Sequence, residues 1–169
     1  MILRTERLIV RELDSVADAE FIFVLLNTPK FLAYIGDRGV RSTADASDFI
    51  ENGYRQSYRD HGYGLYAVEL LETGQKIGMC GFVRRDTLPG PDIGFAFLPE
   101  FERKGYGYES AAAMMSYGRE SFGFGEIFAI TSLDNDASIA LLEKLGFAFD
   151  SLIESPEGES IRLFRNLPN

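Results

Sequence analysis

The stretch Phe101-Glu102-Arg103-Lys104-Gly105-Tyr106-Gly107-Tyr108 joins a strand pattern to a helix pattern. Upstream, Ile93-Gly94-Phe95-Ala96-Phe97 alternates bulky with small side chains, and Pro99 ends it. Downstream, Tyr108, Ala111, Ala112 and Met115 recur at helical spacing from about Gly107 to Phe122, until Gly123 and Gly125. A helix start presents unpaired backbone N–H groups and about half a positive charge, so this turn can cradle a phosphate with main-chain atoms. Gly105 and Gly107 permit close approach, and Arg103 and Lys104 add two cations. The same residues also read as a tight turn with solvated basic side chains, and spacing alone leaves the two readings level. A dinucleotide-binding turn needs a third glycine where Ser110 stands, and no Walker sequence occurs.

Working outward, Ile127 to Thr131 is the next strand pattern, and the intervening helix makes it a parallel partner of the strand ending at Phe97. A short helix over about Ala137 to Leu145 follows, with Gly146 at its end. Phe149 to Ile153 and Ile161 to Phe164 flank a turn-rich segment and form a closing hairpin. Before the central stretch, Leu65 to Leu71 and Ile77 to Val83 form another hairpin around Glu72-Thr73-Gly74-Gln75. Leu8-Ile9-Val10 reads as the opening strand. A helix is expected from about Val16 to Leu26, capped by Asp14-Ser15 and ended by Asn27-Thr28-Pro29. Ala46, Phe49, Ile50, Gly53 and Ser57 suggest another helix. The result is a mixed α/β sheet.

The chain has 169 residues, without repeats or a linker-like composition break, so a single domain over 1–169 is expected. Seventeen Lys and Arg against 26 Asp and Glu give a net charge of -9. That field disfavours nucleic acid and acidic membrane surfaces, and favours cationic partners. Cys80 is the lone cysteine and sits in an apolar segment, and the amino terminus carries charges where a secretory signal would be apolar. A cytoplasmic protein is expected. His61 has no metal partner in the sequence pattern, and no metal site is expected.

The second informative segment runs from Asn135 to Phe147. Ser138 shares a helical stripe with Leu141, Leu142 and Leu145, so its hydroxyl points where apolar side chains point. Back-bonding to a carbonyl, or capping, would explain Ser138 locally, as an N-cap role would explain Asn135.

Together these residues resemble the GNAT superfamily of acyl-CoA-dependent N-acetyltransferases, especially its branch that acetylates ribosomal-protein amino termini. Thr5-Glu6-Arg7-Leu8-Ile9-Val10-Arg11-Glu12-Leu13 is similar to that branch's opening, and Asn27-Thr28-Pro29 through Tyr34-Ile35-Gly36 to the segment that follows. Arg103 to Glu109 resembles the superfamily's pyrophosphate loop, and Asn135-x-x-Ser138 ending in Leu145-Gly146-Phe147 its second motif. The resemblance implies a mostly antiparallel α/β (α+β) sheet whose central parallel pair splays to admit the pantetheine arm of acetyl-CoA. It implies that Arg103, Lys104, Gly105, Tyr106, Gly107 and Tyr108 hold the diphosphate, that main-chain atoms of Phe95, Ala96 and Phe97 bond the arm, and that Asn135 contacts the cosubstrate.

The implied reaction is acetyl transfer to a primary amine, with a backbone N–H near Phe97 stabilising the oxyanion. Leu142 stands where many relatives carry an acidic tyrosine, which leaves Ser138 as the candidate that meets the leaving thiolate. Ile130 replaces a glutamate that serves some relatives as base, and Glu102 stands where Gln or Arg is common. Phe31, Tyr34, Tyr54, Tyr58 and Tyr63 are candidates for an aromatic surface that takes a peptide amino terminus or a polyamine. A non-catalytic acyl-CoA-binding module is the rival reading, and the sequence leaves monomer and homodimer open.

Overall fold

The computed structural model describes residues 1–168. Eight strands, β1 (Leu3–Arg4), β2 (Leu8–Arg11), β3 (Leu65–Leu70), β4 (Lys76–Val83), β5 (Asp92–Phe97), β6 (Ile127–Ser132), β7 (Ala148–Glu154) and β8 (Ser160–Asn166), form one sheet in the order β1-β2-β3-β4-β5-β6-β8-β7. Every neighbouring pair is antiparallel except β5 and β6. The long helix α5 (Tyr106–Phe122) makes that parallel crossover, as the sequence pattern required.

Side chains alternate across the sheet and build two cores. Tyr66, Val68, Cys80, Phe82, Ile127 and Ala129 face Ala111, Met114 and Met115 of α5 and Leu142 of α6 (Asp136–Lys144). On the opposite face Ala67, Met79 and Leu98 meet Ile22, Leu25 and Leu26 of α1 (Ala19–Leu26) and Ala46 of α3 (Thr43–Phe49). Cys80 is fully buried, and burial pushes its thiol up to about 12, so it stays neutral and unreactive.

Three local departures from the sequence reading have local causes. Helix α1 starts at Ala19 because Asp14 Oδ1 accepts the N–H groups of Val16 and Ala17, which holds that segment as a turn. Pro29 opens a helix, α2 (Pro29–Tyr34): it occupies the first turn, where no N–H is needed, and Thr28 Oγ1 accepts the Phe31 N–H. The helix suggested around Gly53 is a continuous run, α3, a π-helical turn over Ile50–Tyr54 and α4 (Arg55–His61), with Gly53 inside the wide turn.

The parallel pair is joined by one register position, Asp92 opposite Phe128. Asp92 is 1% exposed, and burial raises its carboxyl to about 6 even though Arg85 Nε lies 3.1 Å from Oδ1. The folded chain therefore holds the Asp92 proton more tightly than the unfolded chain. The stability this gives is complete below pH 3.8 and lost as pH rises through about 6. Asp92→Asn is expected to raise the unfolding free energy at pH 7.5 by about 1–3 kcal/mol, with little change at pH 4. Urea unfolding at both pH values checks this, and an equal change at the two would contradict it.

Candidate active site

Beyond Asp92 and Phe128 the two strands part, while β4 stays paired to β5 through Phe97 and β8 stays paired to β6 through Ser132. The opening therefore lies between two supported edges. The Leu98 N–H donates to Ile77 O on β4. Strand alternation then turns the main-chain groups of Ala96 toward β4, and directs the N–H and C=O groups of Phe95 and Phe97 into the opening. The face bearing Gly94 and Ala96 packs on protein: a Cβ at Gly94 would lie 3.2 Å from Leu65 Cδ2, and Ala96 packs against the α1 and α3 core. Asp92 stands four residues before Ala96, about 13 Å back along the strand, at the closed end of the opening.

Arg103 at φ 60 and Gly105 at φ 85 bend the chain sharply into α5. Among the described residues, no backbone N–H from Arg103 to Tyr108 donates to a protein acceptor; the first helical bond runs from Glu109 N to Gly105 O. The Ser110 hydroxyl donates to Tyr106 O and Gly107 O, tightening the first turn from inside. Gly107 is short of space: a Cβ there would sit 3.1 Å from Leu141 Cδ2 of α6. Arg103 and Lys104 are exposed and in no ion pair among the described residues. The Glu102 carboxylate is taken up by Lys30 of α2, which cancels its repulsion toward an anion. Tyr106 packs beneath the Arg7 guanidinium, and Tyr108 lies with the Lys144 ammonium 4.5 Å above its ring.

Asn135 caps α6, its Oδ1 accepting the Ser138 N–H at 3.4 Å. That is the capping role open to it from sequence. The Ser138 hydroxyl makes neither a back-bond nor a cap among the described residues. Leu142, one turn on, is buried in the core. Of the aromatic candidates, Phe31 and Tyr63 are buried. Tyr58 stacks on Tyr66 and donates its hydroxyl to Leu65 O, while accepting from Leu13 N. Tyr34 and Tyr54, like Tyr58, are partly buried, and the Tyr54 ring packs edge-on against Phe49.

Sequence reading missed the brace behind the loop. Glu109 Oε1 accepts from Thr5 Oγ1 at 2.6 Å and from Arg7 N at 2.8 Å, and Oε2 accepts from Arg7 Nε at 2.7 Å. Thr5 and Arg7 belong to the opening motif, but their partner lies about a hundred residues away, and only the fold brings them together.

Residues 7–148 match the acetyltransferase (GNAT) domain family. The uncharacterized N-acetyltransferase YoaA of Bacillus subtilis (strain 168) is 30% identical over 153 residues, covering 90% of this chain and 85% of its own. The ribosomal L7/L12 α-N-protein acetyltransferase RimL, solved with coenzyme A, superposes with a TM-score of 0.78 at 15% identity, over 98% of this chain and 97% of that one. Spermidine N-acetyltransferase from Vibrio cholerae, solved with CoA and spermine, gives 0.78 at 19% identity, over 96% of each chain. At these identities the two structures establish a shared fold. Among the described residues no helix is long and apolar enough to cross a membrane, and no three His, Cys, Asp or Glu residues cluster to hold a metal ion.

Proposed function

The chain belongs to the acetyltransferase (GNAT) family, and on that premise we propose that residues 1–169 act as one cytoplasmic domain transferring acetyl from acetyl-CoA to a primary amine. The observation that carries this reading is the pairing of two unsatisfied main-chain surfaces: the N–H groups of Arg103 to Tyr108, and the free edge of β5 at Phe95 and Phe97. The first matches a diphosphate and the second an amide-bearing arm. Arg103 and Lys104 supply charge at the diphosphate, with Gly105, Tyr106, Gly107 and Tyr108 giving amides. Phe95 and Phe97 pair with the arm, and Ala96 between them holds the strand to β4. Asn135 sets the start of α6 and, through it, Ser138.

In the reaction a neutral amine nitrogen attacks the thioester carbon, and the Phe97 N–H stabilises the oxyanion. Such a donor contributes about 3 kcal/mol. As the C–S bond breaks, the thiolate takes up a proton relayed from water through the Ser138 hydroxyl, and the acylated nitrogen gives its proton to solvent. Holding both reactants in the opening supplies much of the remaining rate.

A protein amino terminus is the first acceptor to test and a polyamine the second. RimL and the spermidine enzyme support both equally, since the two superpose equally well. The net charge of -9 favours a cationic acceptor of either kind. Release of free CoA thiol across a panel of peptides and amines tests the reading: amine-dependent release is expected. Coenzyme A binding without release for any acceptor would instead fit a binding module. Ser138→Ala is expected to lower kcat about 10- to 100-fold and leave coenzyme A affinity unchanged. Unaltered kcat would remove Ser138 from the chemistry.

A further inference from the structure

We propose that Arg7 is a positioning residue for the phosphate-binding turn, acting from outside it by fixing one peptide plane. The inference rests on the reading that Arg103 to Tyr108 hold the diphosphate of acetyl-CoA.

Arg7 Nη1 donates to Lys104 O at 3.0 Å, and its Nε donates to Glu109 Oε2 at 2.7 Å. One planar guanidinium thus spans the turn, holding the carbonyl that precedes Gly105 and the carboxylate on the first turn of α5. In a trans peptide C=O and N–H point in opposite directions, so holding Lys104 O on the Arg7 side turns the Gly105 N–H away from Arg7. The orientation needs a holder because Arg103 and Gly105, on either side of Lys104, both have positive φ. Glu109 is itself anchored by Thr5 Oγ1 and the Arg7 N–H, and Thr5 Oγ1 accepts from Leu8 N as β2 begins. The turn is therefore tied to the sheet. The guanidinium also offsets the Glu109 charge, which would otherwise repel a diphosphate at the helix start, and it stacks 4.4 Å from the centre of the Tyr106 ring.

Two contributions are separable. If charge neutralisation alone mattered, removing Glu109 would compensate for loss of Arg7; if the peptide plane matters, it would not. Coenzyme A titration calorimetry and steady-state kinetics are run on wild type, Arg7→Gln, Arg7→Lys and the double variant Arg7→Gln/Glu109→Gln. In Arg7→Gln, the dissociation constant for coenzyme A and the KM for acetyl-CoA are expected to rise about 10-fold, with kcat at saturation within about twofold. Arg7→Lys keeps the charge without the planar fork and is expected to recover only part of the loss. The double variant is expected to stay weak.

Arg7→Gln binding like wild type, or the double variant regaining wild-type affinity, would overturn the proposal. If Arg7→Gln does not fold, Arg7→Lys carries the test, and wild-type affinity there would overturn it too. Wild type that fails to bind coenzyme A would sink the underlying reading of the turn, an outcome distinct from wild type binding and Arg7→Gln binding equally well.

Discussion

Gly105→Val is expected to weaken coenzyme A binding about 100-fold while leaving the fold intact. Gly105 sits at φ 85, ψ 1, a left-handed conformation that a β-branched residue adopts only at a cost of about 1–2 kcal/mol. Even a bare Cβ would lie 3.2 Å from Arg7 Nη2, and the extra methyls of valine would press against the guanidinium that holds Lys104 O. Relief of both strains rotates the peptide planes on either side of residue 105, and the N–H groups of the turn cease to converge. Charge-assisted hydrogen bonds contribute about 1.5–3 kcal/mol each, so losing one or two matches the expected drop.

Gly123→Val provides the control, because Gly123 at the far end of the same helix also has positive φ, at 67, with nothing within 4 Å of its Cβ position. It is expected to lower thermal stability comparably and bind coenzyme A like wild type. Equal losses of affinity in both variants would mean that general loosening of α5 is responsible.

The second large effect is on stability. Asp18→Ala is expected to lower the unfolding free energy at pH 7 by about 3 kcal/mol. The Asp18 side chain is 0% exposed beneath the start of α1. It accepts from Arg11 Nη1 and Nη2 at 2.8 and 2.9 Å and from Asp14 N at 2.7 Å, with Lys76 Nζ 2.8 Å away. Burial opposes its ionisation, but Arg11, the Asp14 N–H and Lys76 together win, holding the carboxyl at about 2. Truncation leaves an orphaned N–H and two cations without their shared partner, and among the described residues Glu69 is the one carboxylate that remains to Arg11.

The sign of the pH dependence follows from the lowered value. Stability from Asp18 is fully present above pH 3.8 and is lost as pH falls through about 2. Asp18→Asn should therefore differ from wild type most at pH 7, with the gap narrowing toward pH 3 in urea unfolding. A difference below about 1 kcal/mol at pH 7 would show that the three cross-links do not stabilise the fold as argued.

Legibility in the sequence tracks how local each cause is. The strand-turn-helix at Arg103 to Tyr108 is encoded by neighbours, with glycines at the bend and a helical stripe after it, and it was readable as residues. Parting of β5 from β6 was not, since no local pattern says that pairing stops after Asp92 and Phe128; only the likeness to a family raised it. Arg11 belongs to the opening motif, yet no local pattern links it to Asp18, which the helical pattern places inside the first helix and the structure places just before it. Gly78 and Gly81 carried no signal, although a Cβ at these positions would lie 2.5 Å from Ala96 O and 2.1 Å from Gly64 O. Such close approach is a tertiary fact. Phe31 and Tyr63 read as surface candidates in sequence because aromatic residues serve cores and clefts alike, and packing places both in the core.

Coenzyme A held by main-chain amides of the turn before α5 and of the free edge of β5 would shield those amides from solvent. Residue-resolved amide hydrogen exchange, with and without coenzyme A, tests this most directly. Slowed exchange on binding is expected at Arg103 to Tyr108, Phe95 and Phe97, with Ala96 unchanged because its N–H already faces β4. Coenzyme A bound at saturation with those amides exchanging at their unbound rates would contradict it.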